Sequence, residues 1–240
     1  MEDIEAEESI SNQNIQQSQI RPWLASLMLT SILHSNPACK SLALKIQLAS
    51  PDGPVSLINY VAQKFISLAD TQIENIIPQQ KQISHPHSQL CSGYLSLLAT
   101  WLHDHSPSVS EFLAQSASIQ YLFEILQPGS SIGADPLIKG LSSFVITILY
   151  QFNDDNTSPF ASKILRTFIL KRVGSDQIFN AASKIRSTPS FRDVHPWYEF
   201  PETYSLESTP SLDQYKLDYS FVEFFKQQFG NLIIRFNLKH

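Results

Sequence analysis

Two apolar helices in this sequence open a fixed distance apart, and that recurrence constrains the fold more than any other feature. Gly93-Tyr94-Leu95-Ser96-Leu97-Leu98-Ala99-Thr100-Trp101-Leu102 opens the first and Asp135-Pro136-Leu137-Ile138-Lys139-Gly140-Leu141 opens the second, so that Gly93 and Asp135 lie 42 positions apart. Two shorter helical stretches, around Val109–Leu113 and Ile119–Leu126, fit between them. Proline supplies the punctuation, because inside a helix it removes a backbone donor and clashes with the preceding turn. The 14 prolines leave open windows at 23–36, 55–77, 87–106, 108–127, 137–158, 160–188 and 211–240. Most of these windows carry helical periodicity and none sustains the period-2 alternation of a strand. The low count of 7 glycines agrees with a helical chain.

A period of this length falls in the ~40–47 residue range of armadillo and HEAT repeats. The expected fold is therefore all-α, an armadillo/HEAT-like repeat array (an α-solenoid). Such arrays bind other proteins along an extended surface. Within the windows, Leu90, Tyr94, Leu97, Leu98 and Trp101 follow i, i+4, i+7, i+8, i+11. Leu137, Leu141, Phe144 and Ile148 form one stripe, and Ile138, Val145, Leu149 and Phe152 a second beside it. A helix apolar over so wide an arc is buried on more than one side.

Further boundaries follow from capping chemistry. Ser158-Pro159 reads as an N-cap with proline at the first helical position, opening a helix towards Arg172 that Gly174 stops. Ser175 or Asp176 can cap the next helix, to about Arg186. In the final helix Leu217, Phe221, Phe225, Phe229, Leu232 and Phe236 line one face. Three segments read as non-helical: an acidic polar tail over 1–19, expected to be disordered; a polar loop over 78–88; and an extended aromatic, proline-rich segment over 186–211. That last segment lies within one armadillo-like domain spanning 20–240. An array cut at its end exposes an apolar face unless it is capped, so self-association is expected unless residues 1–35 supply that cap.

Charge and cysteine usage exclude several function classes. Of the net charge of -5, Glu2, Asp3, Glu5, Glu7 and Glu8 account for all; the rest of the chain is neutral, with no basic stripe for nucleic acid. Hydrophobic residues at 42% and charged residues at 16% fit a folded globular protein. Cys39 and Cys91 are too few for a disulfide framework or a cysteine metal site and read as reduced, buried thiols of a cytosolic protein. The acidic start is unlike a signal peptide. The apolar stretch Leu141–Phe152 is much shorter than the ~20 residues a membrane span needs. Any membrane association is peripheral.

Chemistry-bearing motifs are scarce. His85-Pro86-His87 and His103-Asp104-His105 have metal-like spacing and motivate a histidine-dependent metalloenzyme as one hypothesis, with Asp104 in the role it has in metal phosphohydrolases. Against it, His103–His105 closes a helix before Pro107, where the helix dipole favours histidine, and further ligand motifs are lacking. Asp154-Asp155-Asn156 could begin an oxygen-ligand set, but no EF-hand loop follows, and a capped turn is the simpler reading. No phosphate loop, nucleophile elbow or His-Glu-x-x-His occurs. The reading is non-enzymatic, with no catalytic residues, cofactor or metal.

The block from about Leu90 to the C-terminus resembles the globular head of the Golgi vesicle-tethering family (general vesicular transport factor, Uso-type tethers). The resemblance is carried, in order, by Gly93–Leu102, Val109 with Glu111-Phe112-Leu113, Asp135–Leu141, Tyr150-Gln151-Phe152-Asn153, Arg172-Val173-Gly174 with Asp176-Gln177, Phe191-Arg192-Asp193, and Leu217–Lys226. It matches the C-terminal part of such a head, without the earlier repeats or the coiled coil and acidic tail that follow. The resemblance implies an armadillo-like head in endoplasmic reticulum-to-Golgi and intra-Golgi transport. Its implied partners are a Rab-type small GTPase, SNARE proteins and other Golgi tethering factors, and its implied location is the cytoplasm, peripherally at Golgi and transport-vesicle membranes through protein contacts. Phe191, Arg192, Asp193, Trp197 and Tyr198 are the candidate contact residues. The alternative is a generic armadillo scaffold for extended peptides, unrelated to tethering. It is disfavoured because Trp23, Trp101 and Trp197 are followed four residues on by Leu27, His105 and Pro201, not by the asparagine of a peptide-binding ladder.

Overall fold

A computed structural model describes residues 20–51, 53–74, 85–130, 135–156, 158, 160–196 and 217–238. Helix α1 covers 20–33, followed by α2 (Pro37–Leu44), α3 (Leu57–Glu74), α4 (His85–Leu102), α5 (Ser106–Ala114), α6 (Ser116–Leu126) and α7 (Pro136–Gln151). Then come α8 (Ser162–Arg172), α9 (Ser175–Lys184), a 3₁₀ turn at Ile185–Ser187, α10 (Pro189–Arg192) and α11 (Tyr219–Leu238). The all-α reading holds. A minimal antiparallel ribbon, β1 (Gln47–Leu48) with β2 (Val55–Ser56), links α2 to α3, pairing Gln47 with Ser56 and Leu48 with Val55. Two-residue strands are too short to leave an alternating pattern in the sequence.

The prolines mark where helices start. Pro37, Pro86, Pro107, Pro136 and Pro189 all sit within the first two residues of their helices, where the missing donor costs nothing. Three of these helices add a side-chain cap. Asn36 accepts from the Cys39 amide (3.1 Å), the His105 ring from the Ser108 amide (3.3 Å), and Asp135 from the Leu137 amide (2.8 Å). The helices fall into triplets, α2–α3–α4, α5–α6–α7 and α8–α9–α11. Their closing members pack in succession, α4 on α7 and α7 on α11.

Helix α7 is the centre of the array. It packs on α4, α6, α9 and α11, and Leu137, Ile138 and every residue from Gly140 to Tyr150 are buried. The residues of both adjoining stripes that lie within α7 are thus buried. Its contact with α9 is made through backbone: a Cβ at Gly140 would lie 2.8 Å from the Ala181 carbonyl oxygen and would overlap the Ile185 side chain. Beside it the Ser143 hydroxyl donates to the Ile178 carbonyl at 2.7 Å. On the opposite flank Phe144 meets Phe225 at 4.6 Å between ring centroids and Phe224 at 5.9 Å. Gly93 does for α4 and α1 what Gly140 does for α7 and α9. A Cβ there would come within 2.6 Å of the Ser26 hydroxyl and 3.1 Å of the Trp23 ring.

Helix α1 has an inverted surface. Its inner side buries Ser26, Thr30 and Leu33, while Leu24, Met28 and Ile32 form an i, i+4, i+8 stripe facing outward, with Met28 66% exposed.

Some boundaries differ from the sequence reading. Helix α8 begins at Ser162 and takes no cap from Ser158. The Asp155 carboxylate accepts its first amide, from Ser162, at 2.5 Å, and the Asn153 side chain donates to the Phe160 carbonyl at 2.7 Å. These side chains hold a turn where proline and serine alone pointed to a helix start. Asp154 accepts from the Asn156 amide at 3.0 Å in a short side-chain turn. The supposed loop over 78–88 yields to α4 from His85, and the supposed extended segment over 186–211 is helical at Pro189–Arg192; residues 1–19, 78–84 and 197–211 of those segments lie outside the described residues.

The two kinds of helical glycine give a direct test. Gly140→Ala is expected to lose about 1–3 kcal/mol by overpacking. Gly230→Ala, at an α11 position with nothing within 4 Å, is expected to gain about 0.5–1 kcal/mol from helix propensity. Urea unfolding of both variants beside wild type reads the difference, and equal midpoint shifts would remove the close-approach argument.

Candidate interaction site

Helix α10 and the exposed side of α11 place the first candidate contact residues. Phe191 is buried, its ring edge-on to Phe225 at 5.4 Å, because α10 is one turn whose single apolar side chain must seal the end of α11. It supports the surface from below. Arg192 and Asp193 are outside: the guanidinium Nε donates to the carboxylate at 2.8 Å, with the two side chains 64% and 45% exposed. That hydrogen bond and charge raise the Arg192 pKa. Trp197 and Tyr198 lie outside the described residues. Lys226 sits 5.9 Å from the Phe191 ring centroid and donates to Glu223 at 2.8 Å. Arg186 lies 4.7 Å over the Phe229 ring, and the half-exposed Phe179 stacks on that ring from α9. The sequence reading missed Phe179. Its signal was available: Ile178, Ala181, Ala182 and Ile185 make the buried stripe, and a phenylalanine one residue off that stripe has no place in the core.

Two concave features flank this surface. A cleft of about 360 Å³ lies between α1, the first half of α4, the start of α7, Ser187–Ser190 and the start of α11. Its apolar walls include Trp23, Leu27, Leu137, Leu217 and Phe221, and Asp135 and Asp218 stand among its polar lining. Asp135 caps α7 and Asp218 caps α11, accepting from the Phe221 amide at 3.0 Å. The Leu217 amide donates to the Ser190 carbonyl at 2.9 Å, joining the lead into α11 to α10. A shallower groove of about 270 Å³ runs between α6 and α8, where Phe123, Leu165 and the half-exposed Phe168 meet Glu124 and Arg172.

The histidine motif forms a polar junction. The His105 ring meets the Ser108 hydroxyl through Nδ1 at 2.8 Å and the Ser41 hydroxyl through Nε2 at 3.0 Å, so both nitrogens are engaged in joining α2 to the α4–α5 corner. His103 stands instead between Phe152 and Phe224, edge-on at 4.7 and 4.9 Å. Asp104 between them is exposed, with φ +51°. Lys40 is buried beneath, its ammonium donating to the His103 carbonyl at 2.5 Å. Burial lowers the Lys40 pKa to about 8 against the opposing pull of Asp104. Burial lowers both histidines as well, and the Lys40 charge adds to this. Among the described residues no group of three or more histidine, cysteine or acidic side chains is placed to hold a metal ion. Cys39 and Cys91 are free thiols, and burial, helped by the charge of Asp135, pushes the Cys91 thiol up.

Comparison with known proteins places this architecture. The family model for the head region of Uso1/p115-like vesicle tethering proteins matches residues 6–235. General vesicular transport factor p115 from Rattus norvegicus and from Homo sapiens are each 28% identical over 211 residues, covering 87% of this chain and 19% of theirs. Intracellular protein transport protein uso1 of Schizosaccharomyces pombe is 26% identical over 179 residues, covering 71% of this chain and 15% of its own. The chain thus spans about a fifth of the length of the curated p115 relatives. Among solved structures, Uso1-2 superposes with a TM-score of 0.60 at 17% identity over 84% of this chain and 27% of that one. Uso1-1 gives 0.56 at 18% identity over 83% and 27%. At such identities the likeness shows the fold.

The histidine junction fixes the sign of an acid response. Histidines whose pKa is lowered by folding contribute stability that is present above their ordinary value of 6.5 and is lost as the pH falls below it. Stability in urea is therefore expected to decline between about pH 7 and pH 5. His105→Asn keeps a capping acceptor and is expected to flatten part of that decline; an unchanged slope would take His105 out of the account.

Proposed function

From the premise that this chain belongs to the Uso1/p115-like vesicle-tethering family, we propose that it serves as a non-enzymatic segment of a tethering head in endoplasmic reticulum-to-Golgi and intra-Golgi transport. Its partners in this reading are a Rab-type small GTPase, SNARE proteins and other Golgi tethering factors. It acts in the cytoplasm, held peripherally at Golgi and vesicle membranes by those proteins. The observation that carries the reading is the continuity of the family match, which runs from residue 6 to 235 across every described helix triplet. Among the described residues no helix is long and apolar enough to cross a membrane, which agrees with attachment through proteins.

The surface best suited to a folded partner is the ridge of α10 and α11. Arg192, Asp193, Glu223 and Lys226 present both signs of charge on a base packed by Phe191, Phe225 and Phe229. Charge of this kind sets orientation and association rate, while the aromatic base beneath resists deformation.

Purified chain is expected to retain a Golgi Rab loaded with GTP in preference to the GDP form. Arg192→Ala combined with Lys226→Ala is expected to weaken that binding about tenfold, the scale of one lost anchoring contact. Surface plasmon resonance on both nucleotide states measures it; equal retention of the two forms would count against the Rab assignment.

A further inference from the structure

The cleft between α1, α4, α7 and α11 combines an unbalanced charge with unused hydrogen-bonding groups. Asp135 spends Oδ1 on the Leu137 amide and Asp218 spends Oδ2 on the Phe221 amide. Among the described residues neither carboxylate has a cationic partner, and the described lining holds no lysine, arginine or histidine. Along the α4 wall, Gln89, Gly93 and Ser96 share one helical face. Ser96 is 2% exposed, and neither its hydroxyl nor the Gln89 side-chain nitrogen has a hydrogen-bond partner. Both atoms are shielded from the open cleft, so its charge and its apolar walls define what it can take. The apolar walls, Trp23, Leu137 and Phe221, need a hydrophobic side chain over them.

We infer that this cleft is a binding site for a basic, extended peptide segment of a partner protein. A lysine or arginine of the segment lies between Asp135 and Asp218, and a neighbouring apolar side chain rests on Trp23 and Phe221. The volume of about 360 Å³ lies at the lower end of ligand-site sizes, which suits one charged and one apolar side chain. An acidic peptide meets two uncompensated carboxylates and is rejected. This site shares α10 and the start of α11 with the ridge but none of the ridge's four charged residues, so it stands or falls independently of the Rab assignment.

The test uses the full chain and a fluorescein-labelled nonapeptide of alternating leucine and lysine, with a leucine–glutamate peptide of the same length as control. Fluorescence polarisation is expected to show saturable binding of the lysine peptide at micromolar concentration, weakening as salt rises, and none of the glutamate peptide. Asp135→Asn with Asp218→Asn is expected to reduce the affinity at least tenfold. Asparagine caps helices as well as aspartate does, so the fold is retained. Ser187→Arg, an exposed rim change that places a competing cation at the cleft, is expected to have the same effect, and Glu223→Gln on the distant face none. The inference is overturned by equal binding of both peptides, by lysine-peptide binding that survives the double asparagine change and Ser187→Arg, or by no saturable binding to wild type, including the case in which residues of this chain occupy the cleft.

Discussion

The array depends on a helix with no outer face. Helix α7 is enclosed by α4, α6, α9 and α11, so its position fixes four neighbours at once. Fully burying a leucine, isoleucine or phenylalanine contributes about 1.5–3 kcal/mol, and α7 buries seven such residues. Hydrophobic burial alone does not set a spacing, since larger or smaller side chains can exchange across an interface. Here the spacing to α9 is set by backbone against backbone at Gly140, with the Ser143 hydroxyl bonded to the Ile178 carbonyl. The aromatic face of α11 is then placed by Phe144 against Phe224 and Phe225. Surfaces far from α7, the α10–α11 ridge among them, inherit their geometry from that contact.

Directional polar contacts do for the outer helices what Gly140 does for α7. Apolar helix faces can slide by a turn with little change in buried area. Hydrogen bonds across helices cannot. The Glu111 carboxylate accepts from Ser56 at 2.7 Å and Asn59 at 2.9 Å, pinning α5 to the β2–α3 corner. Lys40 and His105 pin α2 to the α4–α5 corner. These groups are buried or half-buried, so removing one partner leaves the other desolvated and unpaired. They explain why histidines with metal-like spacing and a buried lysine occur together in a protein that shows no catalytic arrangement among its described residues. Register is their work.

The sequence made the helices legible and left their junctions obscure, for a physical reason. Helix starts depend on local chemistry, proline at the first positions and an acceptor just before, and Asp135-Pro136 states that openly. The double stripe of α7 likewise announces burial on two sides. The start of α8 was misread because its cap arrives from Asp155, seven residues away, and a cap that crosses a turn leaves no fixed spacing. Gly93 and Gly140 were visible as members of motifs, but their role is a property of two helices together. Phe191 was placed among contact residues and is packed in the core, because a four-residue helix is too short to show periodicity. The cleft was not legible at all. Its lining comes from five separate parts of the chain, and no pairwise spacing links Trp23, Ser96, Asp135 and Asp218.

That cleft follows from how such an array is built. Where helices stack closely side by side, a concave site opens readily where helix ends converge or where a small residue thins the wall. Both conditions meet here: α7, α10 and α11 begin at the cleft, and Gly93 lets α1 descend against α4. Helix starts present amides and positive dipole ends, which favour carboxylates as caps. The α7 and α11 amides therefore each engage one oxygen of Asp135 and Asp218. A carboxylate neutralised by a lysine of its own chain would have to surrender that partner before binding another. One held by a helix end keeps its remaining oxygen available, so the same interactions that start two helices leave a negative site ready for a cation from outside.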